Sequence, residues 1–122
     1  MAKQLHNGDE TRRRWKIIAA SRSADSQMLP QLLALLDSDE TLENRRHVVR
    51  SLGNIGGPEA EAKLLQLLGS EQSLMLGDIA HSLGKLKCQR ATPQLKQLAE
   101  HPEAWVRQNV TFALRQIRGD DL

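Results

Sequence analysis

The sequence predicts an all-α chain: three two-helix units stacked side by side behind an N-terminal capping helix. Three observations carry this. Leu52, Leu83 and Leu114 recur at a spacing of 31 residues. The apolar residues around them follow a helical period and do not alternate as a strand would. Glycine and proline fall where such helices should start and stop. A repeat of this length is one helical hairpin. It cannot bury its apolar face alone, so its neighbours must stack on it.

The elements follow in chain order. Residues 1–8 are expected to be flexible, and residues 9–25 form the capping helix. Its stretch GDETRRRWKIIAASRSA sets Trp15, Ile17, Ile18 and Ala20 amid charge, and Asn7 with Glu10 has the spacing of a capping box. It aligns with the second helix of a unit whose first helix is absent. Residues 26–118 hold the three units, at about 26–56, 57–87 and 88–118, and residues 119–122 are a tail.

Each unit opens on a short leucine-rich segment: LLALL (32–36), LLQLL (64–68) and LKQLA (95–99). Apolar residues at i, i+1, i+3 and i+4 share one helical face. The second segments repeat Val48, Ile79 and Val110, then Ser51, Ser82 and Ala113, then Ile55, Leu86 and Ile117, all at the same spacing. Pro58 after Gly57, and Pro93 after Thr92, suit a helix first turn behind a cap residue. Pro30 is tolerated in the first turn of a helix starting at Ser26. Gly56–Gly57 suits a helix exit, and His101–Pro102 should stop the third unit's first helix.

Composition narrows the function. Of the 122 residues, 39% are hydrophobic and 26% charged, as in a folded soluble domain. No apolar run is long enough to span a bilayer, and MAKQLHNGDE lacks a secretory apolar core, so a cytoplasmic protein off the membrane is expected. The single cysteine, Cys88, excludes an internal disulfide and a cysteine zinc cage. Three aromatics and no tyrosine make a base-stacking platform hard to build. Net charge is +2 but unevenly spread: residues 1–23 carry +4 and the rest −2. Arg12, Arg13, Arg14 and Lys16 therefore form a basic end able to steer an acidic partner.

The segments RRHVVRSLGNIGGPEA, GDIAHSLGKLKCQRATPQL and PEAWVRQNVTFALRQI resemble HEAT-like repeats, of the short phycobilisome-lyase type. The string WVRQNVTFAL is the best single match, and the resemblance covers about residues 26–118. It implies a short right-handed α-solenoid, with second helices lining the concave face and first helices the convex one. It also implies that Arg45 and Arg107 support the turns before them, at a position where the middle unit has Leu76.

If the second helices line a concave surface, Arg46, His47, Arg50, Asp78, His81, Gln108, Asn109 and Arg115 share one groove. Arg46 and Arg50 would serve as charged forks for an acidic segment or helix. Leu74 and Leu76, beside Met75, would add an exposed apolar patch. Trp15 and Trp105 are expected as partly buried fillers at opposite ends of the stack. His47, Asp78 and His81 can be posed as a metal trio, but no cysteine or second carboxylate reinforces them. A groove built from three short units is too shallow to exclude water for acid–base chemistry.

The expectation is a non-catalytic protein–protein interaction scaffold, without cofactor or metal, monomeric or weakly dimeric. It binds another protein through its concave face or an exposed apolar end. Two alternatives stay open: an accessory factor similar to the bilin lyase-type HEAT proteins, and nucleic-acid binding through a basic face.

Overall fold

A computed structural model describes residues 7–23, 25–70 and 73–119, with only the backbone given for 7–9 and 73. Seven helices are described: α1 (Asn7–Ser23), α2 (Leu29–Leu36), α3 (Leu42–Ile55), α4 (Pro58–Leu68), α5 (Ser73–Lys85), α6 (Thr92–Gln97) and α7 (Ala104–Arg118). There is no strand among the described residues. Residues 1–6 of the expected flexible start, the capping-box side chain of Asn7 and the tail beyond Gly119 lie outside what is described, whereas residues 7 and 8 already belong to α1, two residues ahead of the expected helix start.

Local chemistry sets the helix ends. Asp25 accepts a hydrogen bond from the Gln27 N–H at 3.0 Å and starts a 3-10 turn, Ser26–Met28, that runs into α2. Pro30 then sits in the first turn of α2, where its missing N–H costs nothing. Thr41 caps α3 by accepting from Asn44 N at 3.2 Å. Gly56 and Gly57 take φ of +73° and +94°, and Pro58 opens α4 directly behind them. Unit three departs from expectation. Thr92 is the first residue of α6 and not its cap, and α6 ends at Gln97, well before His101–Pro102. Successive i to i+3 turns carry the chain through Leu98, Ala99 and His101, so Leu98 packs from a turn.

The helices form two layers. The inner layer runs α1, α3, α5, α7, each packed on the next, and α2, α4 and α6 back it. Ile17, Val48, Ile79 and Val110, one per inner helix, are all buried. The outer layer contributes Leu32, Leu36, Leu64, Leu68 and Leu95. Fully burying a leucine is worth about 1.5–3 kcal/mol, so these columns carry most of the packing energy. Leu52 and Leu83 have no exposed surface, whereas Leu114 is only partly buried, because no helix packs beyond α7 among the described residues.

Small residues let the inner helices approach closely. Ala20, Ser51, Ser82 and Ala113 form a buried seam. A side chain at Gly53 would meet Ser82, and one at Gly84 would lie 2.7 Å from Ala113 Cα. The two buried hydroxyls are satisfied across or along the helices. Ser82 Oγ donates to Val49 O at 2.9 Å, and Ser51 Oγ lies 2.9 Å from His47 O and 3.2 Å from Ile17 O.

Candidate interaction groove

The second helices expose one polar face together, and an open groove of about 480 Å³ runs across them. The floor is set by a buried ion pair. Asp78, on α5, is 5% exposed at its side chain and sits 2.6 Å from Arg46 Nε and 3.6 Å from Arg50 Nη2, both on α3. A buried carboxylate is costly unless it is paired, so Asp78 holds the Arg46 guanidinium close. Arg46 therefore serves as an internal counter-ion, and the expected free fork at this position is corrected. Arg50, half exposed at 3.6 Å, keeps donors facing the groove.

Polar contacts tie neighbouring helices along the groove. Asn54 donates through Nδ2 to Ser21 Oγ at 2.5 Å, and its Oδ1 accepts from Lys85 Nζ. The link crosses α1, α3 and α5. His81 stacks on Phe112, with ring centroids 4.5 Å apart and planes within 10°. Burial, then the Lys85 charge, hold the His81 imidazole below its ordinary value, against the opposing pull of Asp78. His47 is lowered in the same direction by burial, then by Arg50 and Arg14. Both rings are thus biased toward the neutral form. Asp78 is the one carboxylate lining the groove among the described residues. Arg22, Arg50 and Lys85 line it too, so the surface is electropositive.

Five of the predicted residues line this groove: His47, Arg50, Asp78, His81 and Asn109. Gln108 and Arg115 are exposed on α7 outside it. Leu74 is exposed at the rim, but Leu76 is buried, which corrects the expected two-leucine patch. The reason is position: α5 is enclosed by α3, α4 and α7, so a side chain at that place finds cover. Arg107 does what the resemblance implied. Its Nη1 donates to the carbonyls of His101 and Pro102, each at 2.8 Å, and steadies the turn before α7.

One of the two tryptophans differs from the expected partly buried filler. Trp15 is 65% exposed on α1 and fills nothing. Trp105 is 39% exposed and lies over Gly77, with Nε1 donating to Leu74 O at 3.3 Å. A Cβ at Gly77 would come within 2.1 Å of that nitrogen, so glycine makes room for the indole on α5.

The basic end is largely internal. Arg13 reaches Glu40 through Nε at 2.5 Å and Nη2 at 3.1 Å. Burial raises the Glu40 carboxyl, but the Arg13 and Thr41 hydrogen bonds outweigh it and hold it below the usual range. Arg14 pairs with Glu10 at 2.8 Å and Glu43 at 3.0 Å, and donates to the buried Asn44 at 2.8 Å. Arg12 and Lys16 remain exposed. The four do not form one free cationic stripe, because Glu10, Glu40 and Glu43 neutralise its centre.

Arg22, Asn54, Lys85 and Trp105 were not among the predicted groove residues. A signal existed for two of them: Asn54 and Lys85 lie four residues after Arg50 and His81, one turn further along the same face. Arg22 and Trp105 gave none, since each reaches the groove through the packing of its helix. Cys88 is buried with Sγ 3.6 Å from Glu61 Oε1, and burial, then the Glu61 charge, push its thiol up and make it a poor nucleophile. No three His, Cys, Asp or Glu side chains among the described residues cluster closely enough to hold a metal ion. No described helix is long and apolar enough to cross a membrane.

The profile of HEAT repeats matches residues 1–76. The chain belongs to the HEAT repeat family. It is 32% identical over 98 residues, 80% of this chain, to the bilin biosynthesis protein PecE of Nostoc sp., and 30% identical over 98 residues to PecE of Mastigocladus laminosus. It is also 35% identical over 83 residues, 68% of this chain, to deoxyhypusine hydroxylase of Xenopus laevis. These stretches make up only 39%, 36% and 27% of the respective relatives.

Proposed function

We propose that the chain is a non-catalytic interaction scaffold that takes an acidic segment of another protein along its concave groove. The single observation that carries this is the charge balance of the groove. Arg22, Arg50 and Lys85 face one carboxylate, and Arg46 and Arg50 already pair with that carboxylate. Its breadth supports a macromolecular ligand over chemistry, because the two histidines stand in an open groove that does not exclude water.

A labelled oligoglutamate peptide tests this by fluorescence anisotropy. It should bind at low salt and weaken as salt rises. Arg22→Glu with Lys85→Glu should weaken it about tenfold at unchanged helicity, since two attractions become repulsions. Salt-independent binding, or capture unaltered by the double reversal, removes the groove from the function.

A second proposal rests on the two PecE relatives: an accessory factor similar to these bilin biosynthesis proteins. An unchanged absorption spectrum when a free bilin is mixed with the protein would count against it. Nucleic-acid binding is less well supported, because Arg13 and Arg14 are engaged by carboxylates.

A further inference from the structure

The groove does not stop at the edge of the stack. Ile18 and Arg22 on α1 line it, and the same two residues line a second hollow of about 400 Å³, completed by Trp15, Ala19 and Ser23. One continuous surface therefore runs from Trp105, at the α5–α7 rim, across the cations of the groove and over α1 to Trp15. Its two ends carry the chain's only tryptophans, 39% and 65% exposed. Among the described residues no helix packs on the outer side of α1, and an exposed indole beside Ile18 and Ala19 there is a feature that the described stacking does not explain. Tryptophans at the ends of a charged surface are favoured anchors for a partner.

The geometry points to a two-anchor track. It binds an acidic stretch of another protein in extended form, with one apolar side chain on Trp105 and another on Trp15. The glutamates or aspartates between them face Arg22, Arg50 and Lys85. This rests on the scaffold function proposed above and adds the α1 edge, the anchors and their spacing. Inner helices pack about 8–10 Å apart. Trp105 leans back over α5, so the two indoles stand roughly 20–25 Å apart. At about 3.3 Å per residue, the anchors are about seven residues apart in an extended chain. A helix rises only about 1.5 Å per residue and would need roughly fifteen residues to join the two indoles, so the extended form reaches both anchors with the shorter segment.

Because there are two tryptophans, each can be made the sole reporter of its own end. The probe is a synthetic peptide with a leucine at each end of a glutamate run, the leucines roughly seven residues apart. In Trp15→Phe and Trp105→Phe proteins of unchanged helicity, the peptide should shift indole emission in both, with the same midpoint. Replacing either leucine by serine should weaken binding about tenfold. Emission from Trp15 that stays constant while Trp105 responds would overturn the track and leave the groove function standing. So would a terminal leucine that can be removed without loss. Absence of any binding at low salt would sink both, and tighter binding of a single-stranded oligonucleotide of equal charge would reassign the surface to nucleic acid.

Discussion

Helices α1 and α5 occupy the same place in their units, yet they end in opposite states. Every residue of α5 from Met75 to Ala80 is buried, including an aspartate. Among residues 10–23 of α1, only Ile17 and Ala20 are buried. The difference is a matter of neighbours: α5 is enclosed by α3, α4 and α7, whereas α1 rests chiefly on α3. In a stacked repeat, burial is a property of position in the stack as much as of the residue. The centre supplies stability, and the edge keeps its side chains exposed.

Substitutions along the stack should break this contrast in graded steps. Leu83→Ala, in the centre, should cost about 2–5 kcal/mol in denaturant unfolding, whereas Leu114→Ala at the half-covered end should cost about 1 kcal/mol. Equal losses would mean that the third unit is as well enclosed as the second. Next, Asp78→Asn strands Arg46, which is 26% exposed, and should cost about 2–3 kcal/mol. Gly84→Ala should cost about 1–3 kcal/mol, because the new methyl meets Ala113 backbone at 2.7 Å. At Gly77→Ala the nearest atoms to the new methyl all belong to the Trp105 ring. The ring can swing away, and the better helix former offsets the strain, so stability should hold while Trp105 emission changes.

The pH response is smaller and has a definite sign. His47, His81 and Glu40 all have lowered folded values, so the unfolded chain takes up protons first. Their stabilisation is complete above the ordinary histidine value of 6.5 and is lost as pH falls through the folded values, with Glu40 adding to the loss below 4.5. The melting temperature should drop on acidification, and a rise between pH 6.5 and 4 would contradict these environments. The smallest effect belongs to the edge. Trp15→Ser should change stability by no more than about 0.5 kcal/mol. A larger loss would show that this indole is structural after all.

The repeat was legible because its cause is local. A helix writes its period into the chain, and a stack repeats that period at one spacing, so the core columns and the glycine–proline ends could be placed from sequence. Part of the groove was legible for the same reason: His47, Arg50, Asp78 and His81 fall on one face of aligned helices. What pairs with what was not. Arg46 and Arg50 are both arginines one turn apart, and only the packing of α3 on α5 decides which of them closes on Asp78. Trp105 could equally have filled an end, and the glycine at position 77 on another helix determines where its ring lies.

By itself, then, the sequence determined that the chain is helical, that its hairpins stack in register and which residues form the spine, because those follow from periodicity and burial within each hairpin. The tertiary structure alone decided which charges neutralise one another, which leucine is hidden and where the tryptophans point. Those depend on atoms from helices some thirty residues apart meeting within a few ångströms, and no single hairpin encodes that distance.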